Sequence, residues 1–182
     1  MTTAKKKWCA VSAFLVFAFS VSSAWAQEER QVFSAFAVAQ ANGAIMRVAE
    51  DEFLVAATLA GPLFVDTNEG PVESGQVKCL ASLKVQRSSV RTMGSGACSF
   101  TAEDSASAWG EWHCEGYLLM GCRGTFKLAG GSGRFEGVSG ESQIIWRPSA
   151  SELQKQLDGT TLASTHGLVL WREFKLARTG KQ

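Results

Sequence analysis

One short stretch, WGEWHC at positions 109–114, combines side chains capable of acid–base chemistry with aromatic rings. In a β-strand, Trp109, Glu111 and His113 would share one face. Turned inward, they would line an aromatic cavity with a carboxylate and an imidazole that exchange protons near neutral pH. Turned outward, they would be solvated, and an expected disulfide at Cys114, on the opposite face, favours this orientation. With both orientations open, Trp109, Glu111 and His113 are the candidate ligand-binding residues.

No other set of residues points to a reaction. The chain has no G-x-S-x-G elbow, and no local motif joins a serine to either of its two histidines. The glycine-rich stretch GGSGRFEGVSGES at 130–142 lacks the spacing of a dinucleotide-binding loop, and no G-K-[ST] ends it as in a P-loop. The sequence therefore indicates no catalytic residues and no cofactor, and it favours a non-enzymatic protein.

The first 26 residues have the three-part layout of a secretory signal peptide. Three lysines precede an apolar run that ends in several small residues. Ala24, Trp25 and Ala26 then form an A-x-A cleavage site before Gln27. An uncleaved membrane anchor is the alternative, because the run is nearly long enough to span a bilayer. We predict cleavage, a single domain over 27–182, a periplasmic or secreted location, and no integral membrane association after cleavage.

The charge of the mature chain is close to balanced. Cleavage removes three of the 18 basic residues and none of the 17 acidic ones, which leaves a net charge of about −2. No basic stripe interleaved with aromatic residues is present, so nucleic acid is not an expected partner.

Four cysteines follow the leader, and their spacing favours disulfides over a metal site. An even count in an exported domain is typical of a disulfide framework. Zinc sites usually bring ligands in close pairs with histidine nearby, which this chain lacks, so no metal is predicted. Three connectivities are possible. If residues 76–86 and 96–102 form a hairpin, Cys79 faces Cys98. Cys114 and Cys122 lie at equal distances on either side of a separate short loop. We predict Cys79–Cys98 and Cys114–Cys122.

The middle of the chain has the two-residue period of β-strands. In QVKCLASLKV, residues 76–85, apolar side chains alternate with lysine and serine. RGTFKLAG, ESQIIWRP and GLVLWREFKL repeat the pattern, and several extended segments precede them. The best helical signal is SASELQKQLDG, where Ser149 and Glu152 have capping-box spacing. The sequence predicts one all-β unit with one short helix near 150–158.

The glycine-rich stretch is best explained as a tight corner between two strands. Glycine permits positive φ and close approach of another strand, and Phe135 would then rise into the end of a core, where burial stabilises by about 2–3 kcal/mol. The predicted structural corner consists of Gly130, Gly131, Gly133, Phe135, Gly137 and Gly140.

This corner, in its context FKLAGGSGRFEGVSG, resembles the corner motif of the allene oxide cyclase and dirigent-like barrels. The longer stretch CRGTFKLAGGSGRFEGVSGES is similar to a group of small exported bacterial proteins with that barrel. The resemblance is specific over residues 122–142 and topological elsewhere. It implies an eight-stranded antiparallel, calycin-like barrel with a central cavity, which has no free sheet edges. None of the functional residues of those families can be matched in this chain, so the resemblance implies architecture and not activity.

Three functions are compatible with such a barrel. The leading prediction is an exported, non-enzymatic protein that binds a small apolar molecule or acts through contacts in the cell envelope. An isomerase or cyclase of the allene oxide cyclase type, acting on an apolar substrate in the cavity, is the alternative. A purely structural barrel with a filled interior is the third. The volume of the interior distinguishes the filled barrel from the other two.

Overall fold

The computed structural model describes residues 30–178, which form an all-β domain. The strands are β1 (Arg30–Ala49), β2 (Glu52–Thr67), β3 (Gly70–Gln86), β4 (Arg91–Thr101), β5 (Ser107–Tyr117), β6 (Gly121–Ser132), β7 (Val138–Pro148) and β8 (Thr161–Arg178). A 3-10 turn at Gly133–Phe135, called here the corner turn, joins β6 to β7, and α1 (Ala150–Gln156) joins β7 to β8. The predicted signal peptide, residues 1–26, lies outside the described residues.

The eight strands form a closed barrel in which each strand is antiparallel to its neighbours in sequence. The last strand closes the ring against the first, with Phe33 opposite Phe174 and Ala35 opposite Trp171. Closure removes the free edges that would otherwise template aggregation. The predicted all-β, eight-stranded antiparallel barrel is confirmed.

Two disulfides join neighbouring strands. Cys79 of β3 lies directly opposite Cys98 of β4, with their Cα atoms 4.0 Å apart. Cys114 of β5 is bonded to Cys122 of β6, with 5.4 Å between the Cα atoms. Both predicted pairings are therefore present, and all four sulfurs are buried in the barrel core. Disulfides of this kind persist in oxidising compartments.

The predicted helix is confirmed, and it seals one end of the barrel. Leu153 and Leu157 are each 1% exposed and pack into the core. The expected capping box does not form, because Ser149 makes no side-chain cap bond. The carboxylate of Glu152 accepts a hydrogen bond from the backbone N–H of His166 instead, at 2.9 Å. The side chain of Gln156 bonds both backbone groups of Ala163 on β8, so the helix is anchored to the strand that follows it.

Between residues 30 and 178, no helix is both long enough and apolar enough to cross a membrane.

Candidate functional site

The three candidate ligand-binding residues lie on the outer face of the barrel. In β5, Trp112 and Cys114 take the inward positions, so Trp109, Glu111 and His113 face solvent, and Trp109 is 44% exposed. The three side chains therefore do not point into the barrel, which was one of the two orientations considered. The buried disulfide at Cys114 determines which face of β5 points inward. The cavity described below is built from other residues.

Two of these outward residues have a structural explanation. The indole of Trp109 lies over Gly130 on the next strand, where a Cβ would come within 2.9 Å of the ring. An aromatic ring that covers a strand glycine in this way shields bare backbone from water. Glu111 begins a row of alternating negative and positive side chains that crosses four strands. Opposite charges that face each other on neighbouring strands stabilise a sheet. The row consists of Glu111, Lys127, Glu141 and Lys175.

The end of the barrel opposite α1 contains an apolar cavity of about 370 Å³. Its walls come from all strands except β7 and from the corner turn. Aromatic and aliphatic side chains predominate, with a few hydroxyl and amide groups and one ionisable group. The lining residues are Gln31, Phe33, Ala35, Leu63, Val65, Thr67, Ser74, Phe100, Thr101, Ala102, Ala108, Leu128, Arg134, Phe135, Trp171, Phe174 and Leu176.

An aromatic cluster forms the floor of this cavity. The ring of Phe100 meets those of Phe126 and Trp171 edge-on, with centroids 5.5 and 5.0 Å apart, and Phe126 meets Phe174 at 5.7 Å. Phe126 and Trp171 are fully buried. Edge-to-face pairs add to the free energy of burial, and the cluster lies between the open half of the barrel and the packed half.

The space arises from small residues at inward positions. Alanine occupies positions 35, 37, 39 and 41 on the inward face of β1, and Ala35 lines the cavity together with Ala102 and Ala108. In the half sealed by α1, larger side chains fill the same interior. Of the four inward alanines in FSAFAVAQA, Ala35 alone lines the cavity, and those at 37, 39 and 41 are buried in the packed core further along β1. The alternation of this strand therefore does not by itself indicate the cavity.

Two glycines of the corner turn region have positive φ, and Phe135 is not buried in the core. Gly133 and Gly137, on either side of Phe135, have φ of +60° and +72°, which glycine adopts without strain. Gly131 lies so close to the turn that a Cβ there would be 2.5 Å from the carbonyl oxygen of Phe135. Phe135 itself is only partly buried, because the interior beneath it is the cavity and not packed side chains. Gly140 is similarly crowded, by Leu176.

A small polar network holds the corner turn at the rim of the cavity. The guanidinium of Arg134 pairs with Asp104 of the β4–β5 loop at 3.1 Å, and that carboxylate also accepts a hydrogen bond from the N–H of Ala106. Arg178 donates to the carbonyl oxygen of Arg134 at 2.5 Å. These charged groups are about half exposed, so the ion pair contributes little net stability, but it orients the turn.

Residues 30–178 hold no group of three or more His, Cys, Asp or Glu side chains placed to bind a metal ion.

The fold and cavity define a disulfide-bonded antiparallel β-barrel that is sealed by a helix at one end and holds an apolar cavity at the other. No protein-family model, curated protein or solved structure matches the chain.

Proposed function

We propose that the protein is an exported binding protein that holds a small apolar molecule in the cavity at the end opposite α1. The observation that carries the proposal is the cavity itself, about 370 Å³ and lined mainly by apolar and aromatic side chains. Cavities of about 300–1,000 Å³ with apolar walls and a few polar groups are typical of sites for small molecules. A barrel with a filled interior would not leave this volume.

Export is supported by two independent features. The sequence begins with the layout of a signal peptide, and the folded domain contains two disulfides, which persist where the redox environment is oxidising. We propose a periplasmic or secreted location. The corner motif and the closed eight-stranded barrel together support a proposed relationship with the allene oxide cyclase and dirigent-like barrels.

Binding is better supported than catalysis. An isomerase or cyclase of the allene oxide cyclase type would use the same cavity, and it would need groups that polarise or deprotonate the substrate. Among the 17 residues that line the cavity, the single ionisable side chain is Arg134, which already pairs with Asp104. Arginine stays protonated, so it cannot act as a general base at neutral pH.

The proposal is tested by filling the cavity. Ala35→Leu adds three carbons on the inward face of β1, whereas Ala44→Leu makes the same change at an exposed position on that strand. Affinity for the fluorescent probe 1-anilinonaphthalene-8-sulfonate is measured by titration. We expect Ala35→Leu to weaken binding by about tenfold or more and Ala44→Leu to leave it unchanged. Equal affinities for parent and both variants would place the probe outside the cavity and contradict the proposal.

A natural ligand is sought by native mass spectrometry of protein purified from its own host. We expect a co-purifying apolar compound that is absent from Ala35→Leu. Catalysis is distinguished from binding by analysing the compound after incubation with the protein. A compound recovered unchanged supports binding, and its conversion to an isomer supports an isomerase or cyclase.

A further inference from the structure

One side of the barrel carries a row of apolar side chains on its outer surface. The row crosses four neighbouring strands, β7, β8, β1 and β2. Ile145 lies opposite Leu170, and Leu170 lies opposite Phe36. Phe36 in turn lies opposite Phe64, and their two rings stack with centroids 5.2 Å apart. With the apolar neighbours on β1 and β8, this row forms what we call the outer apolar face: Phe36, Val38, Phe64, Ile145, Leu168 and Leu170.

The outer apolar face is separate from both the cavity and the core. None of its six residues lines the cavity or belongs to the core cluster. The alternate residues of the same strands do so instead, as Ala37 and Trp171 show. The six side chains therefore point away from the barrel interior, and they cover one another only in part. Val38, near the centre of the face, is 52% exposed.

The outward residues of β3 to β6 are different in character, because most of them are polar or charged. Leu80, exposed on β3, has Lys78 and Ser82 as its outward neighbours along the strand. Single apolar residues of this kind are normal on the surface of a soluble protein, whereas a contiguous apolar patch marks a contact surface. The outer apolar face therefore indicates where the barrel wall meets a partner.

Two opposite charges border the outer apolar face at the side nearer the cavity. Arg172 follows Leu170 by two residues on β8, and Asp66 follows Phe64 by two residues on β2. Strands β8 and β2 are both antiparallel to β1, so they run in the same direction and the two charges lie at the same level. Both side chains are exposed, and among residues 30–178 neither belongs to an ion pair. Their Cα atoms are two strand spacings apart, about 10 Å.

This pattern of charges is complementary to itself about a two-fold axis. When two copies face each other about an axis parallel to β1, left and right are exchanged, so β8 of one copy lies against β2 of the other. Positions along the strands are kept, because the axis is parallel to them. Leu170 then meets Phe64 of the second copy, and Val38 meets Val38. Arg172 meets Asp66 of the second copy, and this contact occurs twice.

We propose that the outer apolar face is the interface of a homodimer in which Arg172 of each copy pairs with Asp66 of the other. An apolar centre with charged groups at its rim is the usual composition of such an interface. The second copy covers the stacked rings of Phe36 and Phe64, and it supplies both exposed charges with partners. The interface lies on the outside of the barrel wall and the cavity lies within it, so the inference does not depend on the proposed binding function.

The first test is the oligomeric state of the oxidised protein purified after export. Sedimentation velocity is measured over a dilution series, and we expect a dimer that dissociates as the concentration falls. A species that remains monomeric at every concentration overturns the proposal. A trimer or larger ring also overturns it, because a two-fold contact closes at two copies.

Charge reversal tests the predicted pairing directly. Arg172→Asp and Asp66→Arg each place like charges against each other at both ends of the interface. We expect each variant alone to raise the dissociation constant of the dimer by at least about a hundredfold. An equimolar mixture of the two variants should dimerise again, because every contact in the mixed dimer joins an aspartate to an arginine.

Recovery in the mixture separates a contact between copies from a role within one copy, since mixing does not change the fold of either variant. The pairing is overturned if the mixture stays monomeric while both variants are folded. It is also overturned if either variant alone dimerises as tightly as the parent.

The apolar part of the interface is tested by one substitution within the face and one outside it. Val38→Asp places two carboxylates against each other at the axis, whereas Leu80→Asp adds the same charge on β3, at a side chain 65% exposed. Both positions are exposed, so both variants should fold, which thermal melts verify. We expect Val38→Asp to abolish the dimer and Leu80→Asp to leave its dissociation constant unchanged. An equal effect of the two variants would mean that the outer apolar face is not the interface.

Discussion

Two phenylalanines on either side of the cavity make a quantitative test of how this barrel is packed. Phe126 is 0% exposed and touches three other rings, those of Phe100, Trp171 and Phe174. Phe126→Ala therefore removes a fully buried ring from the floor of the cavity and leaves a void there. Substitutions of this type cost about 3–5 kcal/mol of the free energy of unfolding.

Phe135→Ala should cost less. The ring is mostly buried and lines the cavity, so its truncation creates no enclosed void, and about two-thirds or more of the 1.5–3 kcal/mol expected for full burial is lost. The guanidinium of Arg134 lies 5.1 Å from the ring centroid, a contact worth about 0.5–1 kcal/mol at an exposed site. The expected total is about 1.5–3 kcal/mol.

The two variants are compared by urea unfolding under non-reducing conditions, followed by tryptophan fluorescence. In a domain of this size, each kcal/mol lowers Tm by about 2–4 °C. We therefore expect Tm to fall by roughly 10 °C or more for Phe126→Ala and by about half as much for Phe135→Ala. Equal losses would mean that Phe135 is part of the packed core. A negligible loss for Phe126→Ala would contradict the tight packing of this ring against Phe100, Trp171 and Phe174.

Three further predictions concern the rest of the fold. Leu153→Ala should lower the free energy of unfolding by about 2–5 kcal/mol, because its side chain closes the barrel end, whereas Gln154→Ala, exposed on the same helix, should stay within about 0.5 kcal/mol in the same urea titration. Replacing Cys79 and Cys98 together by alanine should cost about 3 kcal/mol, as expected for a cross-link across 19 residues; a thiol titration of the denatured, unreduced parent should detect no free thiol from this pair. Gly133→Val should destabilise by about 1–3 kcal/mol, because φ is +60° there, and an unchanged thermal melt would contradict the assigned turn.

Local features of the sequence predicted the architecture well. The alternation around Cys79 and the position of Cys98 defined the register of one hairpin, because neighbouring strands in an up-and-down barrel pair with their sequence neighbours. The second strand, predicted over 96–102, begins at Arg91, so the connecting turn is shorter than predicted. The helix was also predictable, since the spacing of Leu153 and Leu157 is helical. Its cap was not, because Glu152 is used by the backbone of His166, a partner supplied by the next strand.

The site was harder to predict because it depends on many strands at once. Alternation shows that Trp109 and Trp112 lie on opposite faces, but it does not show which face points inward. The cavity exists because small residues from distant strands, such as Ala35 and Ala108, meet at one end of the barrel. The position of Phe135 depends on where the β6–β7 ladder stops, which no local pattern records.

The closure of the barrel has a consequence for folding kinetics. The β1–β8 ladder joins residues from the two ends of the described chain, such as Ala35 and Trp171, so it carries the largest loop-closure entropy in the fold. Both disulfides lie instead within single hairpins, spanning 19 and 8 residues. Oxidation can therefore be complete while the sheet is still an open ribbon. The oxidised chain can also part and rejoin along the β1–β8 junction without breaking a covalent bond.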